Sequence, residues 1–325
     1  MMSTVLLRFA VSVALLMVVA RSLDAGGVLL RLSEMDGAWV SLALALSVPQ
    51  VVVLARRWRF TAGRLGIALP LRAAVAEYYL GLLLNQILPG GVSGDVARAW
   101  RHARVEAAAG PAVRAVILER ATAQAVMTTV AVGSVLLLPS LGPWVRFGVA
   151  LAALVAGLVF VAAALGGSRS GTLADRVRVD ARAALLGRRA LPAQSITAML
   201  VVGSYLAMYV IAARAIGVGT PVIGLLPLVA PVLMTMVIPV TIAGWGIREG
   251  AAAVLWASVG MSPEEGVAIS MAYGFLVLVS SAPGVIVLGR VALLGDRDRR
   301  AHRPRGGSDD REGAAPDRAT RSDRA

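Results

Sequence analysis

The chain has no cysteine, no lysine, and only two histidines, His102 and His302, among its 325 residues. Without cysteine there are no disulfides and no thiolate chemistry, and two histidines are too few to build a metal site. No metal or cofactor is expected. Charged residues make up only 16% of the chain, whereas 58% are hydrophobic, and the mean hydropathy is +0.76. That is too apolar for a soluble globular domain of this length. Apolar runs of span length recur up to about residue 290, so any activity must sit in or beside a bilayer. The net charge is +13, all of its positive part arginine. The arginines stand in short loops between apolar runs, which follows the positive-inside rule rather than the pattern of a nucleic-acid patch, and no nucleic-acid partner is expected.

Spans are expected near 5–20, 38–55, 119–138, 145–165, 196–213 and 267–288. The first has a basic start and a short apolar core, as signal peptides do, but no small-x-small cleavage site ends it, so it reads as a retained helix. Arg56, Arg57, Trp58 and Arg59 after the second run look like a cytoplasmic boundary with an interfacial tryptophan. The near-neutral loop between these two spans suits the outside. Trp39, Trp144 and Trp256 read as interfacial anchors, and Tyr78 and Tyr79 as an aromatic belt with Glu77 turned inward. Glu119-Arg120 opens a span. The loop with Arg169, Arg176, Arg178, Arg182, Arg188 and Arg189 is the most basic internal one and suits the cytoplasm, with room for an amphipathic surface helix. The Pro283-Gly284 pair predicts a kink. The N-terminus and the C-terminal tail are both expected on the cytoplasmic side of the cell membrane. Residues 1–290 form the membrane domain; 291–325, rich in Arg, Asp, Gly and Pro, read as a disordered tail.

Two apolar runs break where a span would continue. One, about Leu71 to Leu88, ends at Pro89-Gly90-Gly91, and both of its flanks are basic. A re-entrant hairpin satisfies the charge rule there, whereas a simple crossing does not. The other, Val222 to Val240, breaks at Pro239 and Gly244-Trp245-Gly246, and the following apolar piece, 251–259, is too short to cross. The two breaks share a spacing: Pro89, Gly94, Arg98 against Pro239, Gly244, Arg248. With three spans between them the second hairpin is inverted, the plan of many secondary transporters. The fold expected is therefore an all-α polytopic membrane protein, about six full spans plus two broken-helix hairpins forming an inverted repeat.

Proline and glycine free helix ends inside the membrane. The N–H groups of the following half-helix can then meet an anion such as a lipid phosphate, and an arginine fork can grip it. Arg98 and Arg248 are the candidate phosphate ligands, with Asp95 and Glu249 to balance them. Asn85, Glu119 and Arg120 contribute to the same polar cavity. Pro89, Gly91, Gly94, Pro239, Gly244 and Gly246 provide close backbone approach and hinges.

The stretch Asn85-Gln-Ile-Leu-Pro-Gly-Gly-Val-Ser-Gly-Asp-Val-Ala-Arg98 resembles a signature of the lysylphosphatidylglycerol synthase transmembrane-region family. Arg57-Trp58, Glu119-Arg120 and Gly244-Trp-Gly-Ile-Arg-Glu-Gly250 resemble others. Ser93-Gly94-Asp95 stands where that family has Gly-Gly-Asp, a small-for-small exchange. The resemblance covers about residues 5 to 290. It implies a flippase-like membrane domain that handles lipid. The soluble synthase half is not expected, and with it no aminoacyl transfer.

The expected function is translocation of an anionic or zwitterionic phospholipid, or a polyprenyl-linked glycolipid, through a polar cavity between the broken helices. The chain lacks a Gly-x-x-x-x-Gly-Lys-Ser/Thr loop, so ATP is not expected to drive it. The chain is not expected to be an enzyme. The alternatives are a membrane partner of a glycosyltransferase or synthase, and a membrane-embedded lipid transferase.

Overall fold

The computed structural model describes residues 2–22, 25–88, 92–106, 108–138, 140–152, 173–187, 190–237 and 241–301. Every regular element among them is helical. In chain order these are α1 (Met2–Ser22), α2 (Ala25–Ser33), α3 (Gly37–Arg64), α4 (Leu71–Ile87), α5 (Ser93–Val105) and α6 (Ala109–Leu136). They continue with α7 (143–152), α8 (Leu173–Ala181), α9 (Ala190–Ala215), α10 (Val222–Met234), α11 (Ile247–Ser258), α12 (Pro263–Ser280) and α13 (Pro283–Ala301). Met1–Leu288 form one compact unit, and the chain from Gly289 onward forms a second.

Local chemistry sets the ends. The Asp36 carboxylate accepts from the Ala38 N–H at 2.7 Å and starts α3. Ser262 does the same for α12, ahead of Pro263 and two glutamates in the first turn. Leu88, the residue before Pro89, has turned extended at φ −100°, ψ 146° and ends α4. The second break uses left-handed backbone at Ala243, Gly244 and Gly246. The last span bends by 42° where α12 passes to α13 at Pro283, as the Pro-Gly pair predicts.

Side-chain size shows which faces meet lipid. Buried positions are rich in alanine: Ala43, Ala55 and Ala62 on α3, Ala74 on α4, Ala112 and Ala115 on α6 are sealed from solvent. Large apolar chains point outward, among them Leu42 and Val48 on α3, Ile117 on α6, and Ile196, Met199 and Leu200 on α9. Small residues between helices and large ones outside are what packing in hydrocarbon favours, because lipid is as apolar as leucine and close approach supplies the attraction. The protein is therefore a helical membrane protein.

Among the described residues α3, α6 and α9 are long and apolar enough to cross, and counting the bent α12–α13 pair as one span gives four. About six were expected. The first expected span is helical as α1, but most of 145–165 lies outside the described residues. Other departures have local causes. The segment read as an outer loop before α3 holds the helix α2. Glu119-Arg120 does not open a helix: α6 starts at Ala109 and carries the pair into its interior. The basic internal loop holds α8 and a π turn, Arg182–Leu186, tied to α6 by an Arg114–Asp180 ion pair. α13 stays helical to Ala301, into the segment expected to be unstructured.

Two helical groups pack around separate cores. Val51, Leu54 and Trp58 of α3, Tyr78 of α4, Ala99 of α5 and Ala115 of α6 form one. Residues of α9 to α12, with Met127 and Ala131 of α6, form the other. α3 against α9 and α6 against α10 join the groups.

Candidate functional site

Each group brings a short helix to the far side of a break, and each of these helices carries a buried arginine. In the first, α4 and α5 cross at glycine: a Cβ on Gly94 would lie 2.6 Å from the Cα of Gly81. The Asn85 side-chain carbonyl accepts from the Gly94 N–H at 2.8 Å and holds the start of α5. The close crossing brings Arg98 under α3, α4 and α6.

Arg98 is 1% exposed. Its Nε donates to Asp95 Oδ1 at 3.0 Å and its Nη2 to Glu119 Oε2 at 2.9 Å. Its guanidinium lies over the rings of Tyr78 and Trp58, at 4.4 and 4.7 Å from their centroids. Glu119 also accepts from the Tyr78 hydroxyl at 2.7 Å and stands 3.7 Å from Arg57 Nε. Arg57 donates to the Thr122 hydroxyl at 2.6 Å and the Gln194 carbonyl at 3.2 Å, joining α3 to α6 and α9. Arg120 Nη2 stands 2.5 Å from Asp95 Oδ2, yet its side chain is 47% exposed, on the outer face of α6 with Val113 and Ile117. The cluster holds Arg57, Arg98 and Arg120 against Asp95 and Glu119. Three guanidiniums and two carboxylates leave one positive charge. Arg98 Nη1 is buried with no hydrogen-bond partner.

The second cluster is balanced. Arg248 donates through Nη2 to Glu249 Oε1 at 2.6 Å and through Nε to the Ser270 hydroxyl at 2.8 Å. Glu249 sits at the third residue of α11, where its other oxygen accepts from the Gly246 N–H at 2.6 Å and satisfies one free donor at the helix start. The Arg248 guanidinium faces Trp245 and Tyr273 at 5.1 and 5.4 Å. Gly274 makes room for them, since a Cβ there would fall 2.9 Å from the Trp245 ring. From outside, α1 seals this break: the Ile242 N–H donates to the Ser12 hydroxyl at 2.9 Å, and a Cβ on Gly246 would lie 2.6 Å from that of Leu15.

Of the residues expected to bind substrate, Asn85, Asp95, Arg98, Glu119 and Arg120 come together. Arg248 and Glu249 form their own closed group, and no hydrogen bond or ion pair among the described residues joins the two. Gly94 acts in close packing, and Gly244 and Gly246 in left-handed backbone; Pro89, Gly91 and Pro239 lie outside the described residues. A cavity of about 30 Å³ lies where α3, α4, α9 and α12 meet, lined by Gln50, Tyr205 and Tyr273 among others.

Several side chains belong to the site against expectation. Arg57 and Trp58 are buried rather than interfacial, because α3 runs on to Arg64 and keeps its inner face of Leu54, Trp58 and Thr61. Tyr78 is buried against Glu119 rather than in a belt, while Glu77 is half-buried and paired with Arg101. Trp256 is buried and donates to Glu265 at 3.3 Å, whereas Trp39 and Trp144 are exposed. Ser270 and Tyr273 stood inside an apolar run, and Gln194 just ahead of one, with no local signal; only the Arg57-Trp58 signature pointed at this set.

The comparisons bear on the whole chain. Neither the curated proteins nor the solved structures include a match to it. Residues 5–284 match the family model described as the lysylphosphatidylglycerol synthase TM region, and the span contains both clusters. The chain belongs to the lysylphosphatidylglycerol synthase transmembrane-region family.

Proposed function

We propose that the protein binds the anionic phosphate of a membrane lipid at the first cluster and carries that head group across the bilayer. The observation that supports this is the uncompensated charge: three arginines against two carboxylates, with Arg98 Nη1 unpartnered and the Arg120 side chain 47% exposed. Charge in hydrocarbon is costly and calls for a counter-ion. A phosphodiester supplies one negative charge and the acceptor oxygens a guanidinium fork fits. A head group reaching Arg120 sideways would leave its acyl chains in lipid. Onward movement would require the two helical groups, packed together through α3 with α9 and α6 with α10, to part. The second cluster, already neutral, would then serve as a fixed point rather than a second phosphate ligand, which revises the symmetrical role expected for Arg248.

A transferase has less support, since Asp95, Glu119 and Glu249 each already accept from a guanidinium and none is free to take a proton from a substrate. The test is lipid scrambling in proteoliposomes with fluorescent phosphatidylglycerol and an impermeant reductant outside. Quenching beyond the outer-leaflet half with wild type, and not with folded Arg98→Ala or Arg120→Gln protein, is the expected result. No quenching beyond that half would refute translocation and favour the role of partner to a glycosyltransferase or synthase.

A further inference from the structure

Arg98 uses two of its nitrogens and keeps the third. Nε and Nη2, which share one edge of the guanidinium, donate to Asp95 and Glu119. Both carboxylates therefore sit against that edge, and Nη1 points away from them. Nη1 is buried and has no hydrogen-bond partner among the described residues. Against it lies Trp58, fully buried, with its ring centroid 4.7 Å from the guanidinium carbon. The Trp58 indole Nε1 can only donate, and it too is buried without a partner among the described residues.

The neighbours do not supply the missing acceptor. Glu119 is taken by Arg98, Tyr78 and Arg57, and Asp95 is held between Arg98 and Arg120. His102 meets the Trp58 ring edge-on at 5.4 Å, its Nε2 lies 3.1 Å from the Ala68 carbonyl, and its Nδ1 bonds neither donor. A buried donor without an acceptor is costly, so two of them on stacked groups point to an acceptor from outside the chain. The charge of the cluster says which kind. Three guanidiniums face two carboxylates, and water would satisfy the donors yet leave the charge unbalanced. The acceptor is therefore a monoanion, and a small one, because both side chains are sealed.

We infer that Arg98 Nη1 and Trp58 Nε1 together hold a small inorganic monoanion of the halide class, chloride being the common one, as the resting counter-ion of the first cluster. The ion takes one N–H from each group, on the side of Arg98 turned away from the carboxylates. The site stands whether or not the protein moves lipid. Only its exchange rests on the phosphate-binding reading: a lipid phosphate that reaches Arg98 brings its own negative charge, and the small ion leaves.

The test follows thermal unfolding of the purified protein in a non-ionic detergent, in sodium chloride and in sodium gluconate of equal ionic strength. Gluconate is too large for the site. Chloride at roughly ten times its dissociation constant should raise the midpoint by about 2–4 °C, and the rise should grow with the logarithm of concentration. Trp58→Phe keeps a ring over Arg98 and removes the N–H, so it should weaken apparent chloride binding by about tenfold or more. Sodium bromide gives a second reading that needs no variant, since a bound bromide should quench part of the tryptophan fluorescence saturably. Equal midpoints of wild type in chloride and gluconate, an undiminished chloride response in Trp58→Phe, or bromide quenching with no saturable part overturns the inference. Dihexanoyl phosphatidylglycerol then separates this site from the lipid reading. A smaller lipid-induced rise in chloride than in gluconate supports exchange at Arg98. An equal rise in both refutes phosphate binding at Arg98, while the ion site stands on the first comparison.

Discussion

Replacing Gly94 by alanine adds one methyl group at the point where α4 and α5 touch. Its Cβ would lie 2.6 Å from the Gly81 Cα, against backbone atoms that have no rotamer to change. Carbon atoms rest about 3.5–4.0 Å apart, so the helices must separate by roughly 1 Å. Overpacking of this kind costs about 1–3 kcal/mol, offset by at most about 1 kcal/mol of helix propensity. The shift would also move Asp95 and Arg98 away from Glu119, so lipid movement should fall further than stability does. Gly133→Ala is the control, because a Cβ there meets nothing within 4 Å; it should be neutral or raise stability by up to about 1 kcal/mol. Denaturation in detergent, followed by circular dichroism, measures both. If Gly94→Ala unfolds with Gly133→Ala and wild type, the close crossing is refuted, and with it the path that brings Arg98 under α6.

Glu119→Ala leaves Arg57 and Arg98 buried without a shared carboxylate and should destabilise by about 3–5 kcal/mol in the same unfolding assay. Glu119→Gln keeps a side-chain carbonyl and should cost less. Arg120→Gln should lower scrambling of phosphatidylglycerol by about tenfold through loss of a charged hydrogen bond. At the second cluster, Glu249→Ala should cost about 3–5 kcal/mol, while the joint Arg248→Met/Glu249→Leu change should cost less than Glu249→Ala alone, because it strands no charge. Equal losses from the single and the joint change would refute a closed ion pair.

The broken helices were legible in the sequence because their causes are local. Pro89 forces Leu88 out of the helix, and Gly244 and Gly246 supply left-handed backbone that larger residues resist. Arg98, Asp95 and Arg248 could be picked out because charge is conspicuous against apolar neighbours. What joins them was not legible. Glu119 pairs with Arg98 from another helix, and its own position misled, since a charged pair ahead of an apolar run looks like a helix start. Arg57-Trp58 misled in the same way: a largely apolar run, 38–55, followed by arginine suggests a membrane boundary, yet α3 continues and folds the pair inward. The balance of charge, three to two at one cluster and one to one at the other, belongs to the packing of α3, α5 and α6 and to no single segment.

The seat of α1 on the second break has a consequence for how the protein is made. Ser12 waits for Ile242, 230 residues later in the chain. At roughly 5–20 residues per second of synthesis, the first helix is in the membrane for some ten to fifty seconds before its binding surface exists. The Gly244-Trp245-Gly246 turn, once made, closes only when this oldest helix is still free to come back to it. A turn made late in translation is thus closed by the helix made first.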